Sequence, residues 1–411
     1  MKFQAKKFLS FYYNNIFRML FLLFIFIISP YKIYASDFGS FVTDLVKNNP
    51  EIQASYFNYR SFIDGQMSTI GPYLPQAELH YNYQIQDIDK VTGNITDNYE
   101  TNEYNIDITQ KILIPELKPL LNKTKLATLE ALLKYKKTKS EVILDLINTL
   151  VTIQTLDQQA LFEENNKNLN KNLYKVAQIK SNSGIISQID LLQSKTEYLK
   201  AKSDYIIIIK DLSIAKAHYE SLTGSNVIKE FNLEKFITNT NFDLSKTIQS
   251  AYRNNFDAII TLNQLSQYKQ NKKIEQSDYL PKADLYYNYQ KIKGRYSYYT
   301  NNDDTNSFSS YGIRVTIPLF TSFKTTSDIA SSQDLILVKE QEFSNVTNNL
   351  KEEVTRLWET LNVNKALIIE HKSYVEYAEK SYKAIKNQYD ARLKDITYLL
   401  DAQNTLLDAR S

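Results

Sequence analysis

The sequence predicts a mostly helical protein with a smaller β part, built as a tandem duplication of one helix–strand–strand–helix–helix unit. Three observations carry this. Glycine and proline, eight of each in 411 residues, are absent from four very long stretches. Other segments alternate apolar and polar residues in the manner of strands. And one twelve-residue phrase is written twice, YLPQAELHYNYQ at 73–84 and YLPKADLYYNYQ at 279–290.

The first element is an export leader at 1–35. Lys2, Lys6, Lys7 and Arg18 precede the apolar run MLFLLFIFII at 19–28, and Ile33-Tyr34-Ala35 offers a small residue for cleavage. Ten apolar residues are too few for a membrane-spanning helix, which needs about 20, but suit the core of a signal peptide. No cysteine follows, so there is no lipoprotein attachment site. The chain holds 49 basic and 46 acidic residues, and the leader holds five of the basic ones and no acidic one. The mature chain is therefore slightly acidic, which gives no support to nucleic-acid binding.

The breaker-free stretches are 120–183, 185–223, 225–280 and 319–411. Such avoidance predicts helices, and Pro119 can open one because the missing N–H costs nothing in a first turn. Within them, Ile143, Ile147, Leu150 and Ile153 recur at helical spacing, as do Leu169, Leu173, Val176 and Ile179. Both read as stripes of helices that pack sideways in a coiled coil or bundle.

After Pro75, Ala77, Leu79, Tyr81, Tyr83 and Ile85 alternate with Gln76, Glu78, His80, Asn82, Gln84 and Gln86. This is period two over eleven residues, the length of a tilted membrane strand. Tyr104, Ile106 and Ile108 alternate with Asn105, Asp107 and Thr109. In the later copy Ala283, Leu285, Tyr287 and Tyr289 oppose Lys282, Asp284, Asn288 and Gln290, with Tyr286 an aromatic exception; Tyr311, Ile313, Val315 and Ile317 oppose Arg314 and Thr316. Leu79, Tyr81, Tyr83, Leu285, Tyr287 and Tyr289 are the expected lipid-facing residues. The segments 87–103 and 291–310 between the strands are long and polar, as outer-membrane barrel loops are. A pair of half-buried hairpins in a soluble domain is the bland alternative. Four strands cannot close a barrel, and an open edge in lipid leaves backbone groups unsatisfied, so strands that span a membrane must be pooled between chains.

The two halves match beyond the strands. Asn48-Asn49 corresponds to Asn254-Asn255, the segment 104–109 to 311–316, and Leu191-Leu192 to Leu399-Leu400. The expected organisation is a first repeat at 36–224, with strands about 76–86 and 104–114 and long helices about 119–183 and 185–223. A linker follows at 225–246. The second repeat spans 247–411, with strands about 282–290 and 309–319 and helices about 321–390 and 395–411. Its last helix reads as short of its counterpart, which would expose an apolar stripe at 335–343.

In this order and duplication the chain resembles the TolC-like outer-membrane efflux family. The matching features are Tyr-Leu-Pro-x-Ala-[Glu/Asp]-Leu at each strand start and Ile317-Pro318-Leu319-Phe320 leading into a long helix. Gly184 with Asp190-Leu191, and Tyr389 with Ile396 and Asp401-Ala402, match the two helical turns. The first strand exit departs, with Lys111 where the second copy has Pro318.

The resemblance implies a homotrimer in the outer membrane of a Gram-negative bacterium. Each protomer would give four strands to one β-barrel continuous with a long α-helical barrel that crosses the periplasm. It implies an exit duct of a tripartite efflux or type I secretion system, a passive conduit for drugs, small molecules or proteins. Its partners would be a periplasmic membrane-fusion adaptor, an inner-membrane pump and outer-membrane lipid. The segment 225–246 would belong to an equatorial belt, and 181–189 and 389–397 to periplasmic tips. There Asp190 matches a latch acceptor, Tyr389 a latch donor, Lys394 a position often occupied by arginine, and Asp401 an acidic aperture position. Tyr398 falls where a second aspartate is expected.

The alternative function is a periplasmic coiled-coil adaptor or structural scaffold, which explains the helices and leader but not the paired strands. An enzyme is not expected. There is no phosphate loop, no nucleophile elbow and no cysteine, and His80, His218 and His371 lack metal-ligand spacing. Neither cofactor nor metal is expected. Glu163-Glu164 and Glu352-Glu353 read as solvated helix faces and Trp358 as packing.

Overall fold

The computed structural model describes residues 36–89, 96–228, 243–294, 304–391 and 393–410. The leader at 1–35 lies outside them, as do most of the linker at 225–246 and the loop segments 90–95 and 295–303. Residues up to Lys47 form one compact unit and Asn48–Ser411 a second. The described part of the first is helix α1 (Ser36–Asn48), whose last residue belongs to the second.

The chain then runs α2 (Pro50–Ile70), β1 (Gln76–Asp89), β2 (Thr96–Leu113), α3 (Leu117–Asn182) and α4 (Gln188–Thr223). It repeats that order as α5 (Leu244–Asn254), α6 (Phe256–Ser277), β3 (Lys282–Gly294), β4 (Asp304–Thr316), α7 (Lys324–Asp390) and α8 (Ile396–Arg410). The doubled asparagines have a local cause. Asn49 caps α2, accepting from the N–H groups of Glu51 and Ile52, and Asn255 caps α6, accepting from Ala258. Each breaks a helix pair where the amide side chain satisfies donors that a new helix leaves unpaired. Asn49 also donates to the Leu222 carbonyl, 3.0 Å away, so the start of α2 is tied to the end of α4.

The turn between α3 and α4 is a Schellman motif. Gly184 takes the left-handed conformation (φ 69°), Ile185 N–H bonds Lys180 O at 2.8 Å, and Gly184 N–H bonds Ser181 O at 2.9 Å. Ser187 then caps α4, whose first residue Gln188 lies three residues later than the 185 expected from sequence.

Strand bounds differ from expectation: β1 and β3 run on to Asp89 and Gly294 rather than 86 and 290, and β4 begins at Asp304 rather than 309. β2 begins at Thr96 rather than near 104, because backbone pairing continues past the point where side-chain alternation fades. β4 ends at Thr316 rather than 319, because Pro318 has no N–H for the ladder. The four strands form one antiparallel sheet in the order β1-β2-β3-β4, with an irregularity between Lys111 and Leu113.

Two helix stripes fare differently. Around the first, Val142, Leu146, Leu150 and Ile153 are buried, one residue off the expected register at its start. In the second, Leu169, Val176 and Ile179 are exposed within the single chain, where α3 buries Asn166, Asn170 and Ala177. Small and amide side chains let helices approach closely there, while the bulkier stripe is left on the outside of the chain.

Next to the sheet, α2 packs on α3, α3 on α6 and α6 on α7. A polar seam joins α3 to α6. Lys123 donates to Asn271 (2.7 Å), Gln264 and Gln267 donate to Glu130 (2.8 and 2.6 Å), and Lys137 reaches Asp257 (2.5 Å). Positions 123, 130 and 137 lie two helical turns apart, so one face of α3 carries the whole seam. Farther along, α3 packs on α4 and α7 on α8. Trp358 of α7 is half-buried beside Leu244 and Ile248 of α5.

Candidate functional site

Pairing places residues directly opposite one another on the same face of a sheet. Leu79 faces Ile106, which faces Tyr289; Ala77 faces Ile108, then Tyr287, then Tyr311; Leu285 faces Ile313. One face therefore carries an apolar band across all four strands at the helix-proximal end of the sheet, giving way to Asn102, Lys291 and Ser309 farther along. The six residues expected to face lipid, Leu79, Tyr81, Tyr83, Leu285, Tyr287 and Tyr289, all lie on it. Most of its large side chains are exposed, Leu79 to 68% and Tyr311 to 81%. Tyr81 packs tilted against Tyr104, 4.9 Å between ring centres, and donates to Asn102.

The opposite face is a hydrogen-bonded polar surface. The Asn288 amide donates to both Asn105 and Asp107 at 2.7 Å, Asn105 donates to Asp107, and Gln290 donates to Glu103. His80 meets Glu78 at 3.3 Å. This face also carries Ile292, Phe308 and Tyr286, and Tyr286 has a structural reason. A Cβ on Gly312 would meet its ring within 3.2 Å, so the ring lies across the bare glycine of the next strand, and Arg314 stacks over it at 5.1 Å. Sequence alternation contains the polar set, but not this network across strands. The sheet is thus two-faced and open at both edges, β1 and β4.

At the far ends of the long helices lie the expected tip residues. Asp190 sits in the first turn of α4 and forms a capping box with Ser187: its carboxylate accepts from Ser187 N–H (3.1 Å) and Oγ (2.8 Å), and Ser187 Oγ accepts from Asp190 N–H. Tyr389, in the last turn of α7, accepts from Lys180 Nζ at 3.2 Å, and the ammonium stands 4.8 Å from its ring centre. Lys394 stands 4.1 Å over the ring of Tyr398. Asp401 is exposed on α8, and its carbonyl accepts from Thr405. Asp190 and Tyr389 share no hydrogen bond within the described residues of one chain. Lys180 was missed in the sequence. Its signal was a basic residue in the last turn of a helix, beside the free carbonyls.

A third polar cluster joins the two hairpins. Asn170 of α3 donates to Asn166 Oδ1 at 2.7 Å, and Gln403 of α8 donates to the same oxygen at 3.4 Å; all three residues are buried. Among the described residues no group of His, Asp and Glu is placed to hold a metal ion, and no helix is long and apolar enough to cross a membrane.

The family described as "Outer membrane efflux protein" matches residues 42–225 and 247–411. Among curated proteins none matches in sequence. Among solved structures, the outer membrane protein VceC from Vibrio cholerae superposes with a TM-score of 0.74 at 11% identity, covering 91% of this chain and 90% of that one. The CmeC outer membrane channel of Campylobacter jejuni gives 0.72 at 15% identity, covering 90% and 80%. CusC, described with transmembrane channel formation, gives 0.74 at 12% identity, covering 90% and 86%. These likenesses establish the fold.

Proposed function

Because this chain belongs to the outer membrane efflux protein family, we propose that three copies join head to tail, each supplying its four strands to one twelve-stranded barrel. The protein is an outer-membrane exit duct for efflux, extending from the outer membrane into the periplasm. The scaffold alternative leaves the two-faced sheet without a purpose.

The observation that carries the barrel reading is that face, with its exposed apolar band across every strand, ending in two unpaired edges. In water such a patch is a liability, and in lipid an open edge leaves N–H and C=O groups unsatisfied. Joining β4 of one copy to β1 of the next removes both problems at once. The apolar face meets lipid acyl chains and the network of Asn105, Asp107 and Asn288 lines an aqueous lumen. Barrel width grows with strand number, so pooling strands opens a passage that a single chain cannot.

The duct moves nothing by itself and performs no bond chemistry. A periplasmic adaptor and an energised inner-membrane pump are its partners in this reading, docking at the hairpin tips. There the Lys180–Tyr389 contact joins the two hairpins of one chain, and Asp190 stiffens the first turn of α4. Asp401 and Lys394 face the same end.

Fractionation combined with external proteolysis tests the reading. The protein is expected in the outer-membrane fraction as a three-chain species, with cleavage from outside intact cells within 87–103 or 291–310. Full protection of both segments in intact cells, with cleavage only after lysis, would overturn it.

A further inference from the structure

The turn after β4 displays apolar residues that its own chain leaves uncovered. Leu319 is 94% exposed, Phe320 73% and Phe323 75%. They are held there by a strained backbone: Ser322 and Phe323 both take positive φ, 50° and 64°, a region that side chains other than glycine rarely occupy. The rings of Phe320 and Phe323 pack edge to face, 5.7 Å apart.

The first repeat supplies an internal comparison. Its matching turn follows β2 and leads into α3. There Glu116, the counterpart of Phe323 at the strand offset, is only 15% exposed and stands 3.8 Å from Lys282. Lys282 opens β3 and also bonds Asp278 at the end of α6. So Glu116 is covered from the helix-to-strand junction of the neighbouring repeat in the same chain, while Ile112 and Leu113, the counterparts of Leu319 and Phe320, stay about half exposed there (50% and 47%). The second turn follows an edge strand, beside which no other strand of the described residues pairs. In the matching helix-to-strand junction, from α2 into β1, Gln76, the counterpart of Lys282, is exposed at the other edge of the sheet, while Leu74 is as exposed as its counterpart Leu280 (46% and 49%). Both lie at the same end, since Gln76 pairs with Thr109 and Lys282 with Thr316.

The geometry points to a seam lock: the Phe323 turn of one chain, with Phe320 packed against it, seats on the Gln76 junction of a second copy, as Glu116 stands against Lys282 within one chain. It rests on the head-to-tail ring proposed above. The occupant follows from the repeat itself, because a ring reproduces between chains the neighbour relation already present inside one. The chemistry changes accordingly. The contact within the chain is an ion pair, Glu116 with Lys282, while the contact between chains sets Phe323 against Gln76 and Leu74. An apolar seam needs no charge partner from the second copy, and the strained turn keeps its rings facing outward before the copies meet.

The chain has no cysteine, so thiol cross-linking has no background. The variants are Phe320→Cys with Leu74→Cys, and Phe323→Cys with Gln76→Cys. Each is treated in outer-membrane vesicles with a short bis-maleimide. Covalent species of two and three chains are expected from the double variants and not from the single ones. In unlabelled protein, Phe320→Asp with Phe323→Asp is expected to lower the fraction of assembled three-chain species about tenfold, since a charge would be desolvated in an apolar contact. If the three-chain species forms but neither pair cross-links, the seam lock is overturned and the ring stands. If the chain is monomeric in the membrane, the ring itself fails. A dye on Phe320→Cys that lipid-borne quenchers extinguish in the assembled protein would show that lipid, not a second copy, covers the turn, and would also overturn the lock.

Discussion

Gln267 of α6 donates to the carboxylate of Glu130 on α3 across 2.6 Å, and in doing so ties the second repeat to the first. Gln264 donates to the other oxygen of the same carboxylate, and Lys134 joins from the next turn of α3. Burial alone would raise the Glu130 carboxyl. The donors Lys134, Gln264 and Gln267 outweigh burial, so it lies below the ordinary glutamate range.

Glu130→Ala is therefore expected to cost about 2 kcal/mol, the scale of hydrogen bonds to a charged group, read as a lower melting temperature in detergent. The sign of the pH effect follows from the lowered value. The folded carboxyl binds fewer protons than the unfolded one, so its contribution is complete above about pH 4.3 and is lost as pH falls through its depressed folded pKa. Wild type should lose stability in that acid range more steeply than Glu130→Ala. Parallel acid melts of the two would refute the assignment.

The two sheet faces should answer differently to the same charge. Leu79→Arg, on the apolar face, is expected to cost about 2–4 kcal/mol if it meets the middle of the bilayer. Asn82→Arg, on the polar face, should fold into lipid vesicles much as the wild type does. Folding yield measured in vesicles by protease resistance compares them directly, and equal loss in both variants would refute the assignment of faces.

Tyr286 and Gly312 form a ring-on-glycine pair across β3 and β4. Gly312→Val would drive a side chain into the ring, and an overpacked contact of this kind costs about 1–3 kcal/mol. Tyr286→Ala should largely relieve Gly312→Val, because the obstacle is gone. Additive losses in the double variant would show that the two residues do not meet.

At the helical tips, Lys180→Met with Tyr389→Phe removes the contact between hairpins and is expected to raise single-channel conductance in a planar bilayer. Asp190→Ala removes one half of a capping box and should fray the start of α4, at about 1 kcal/mol. If Asp190→Ala alone opens the channel and the Lys180 pair leaves it unchanged, the closing contact belongs to Asp190 instead.

The sequence by itself determined what is local or repeated. Alternation wrote the two faces of β1 and β3, the absence of glycine and proline wrote the long helices, and the doubled phrase announced two copies of one unit. These signals are legible because each depends on residues a few positions apart, or on comparing the chain with itself. Only the tertiary structure decided which surfaces meet. It placed β2 beside β3, so that Asn288 reaches Asn105 and Asp107 from 183 and 181 residues away. It buried Asn166 and Asn170 and left the Leu169–Ile179 stripe on the outside of the single chain, and it set Lys180 against Tyr389. The physical reason is that a helix or strand carries its own period wherever it lies. A contact between distant segments depends instead on packing distance and on which polar group loses water, and neither is written in the spacing of residues along one element.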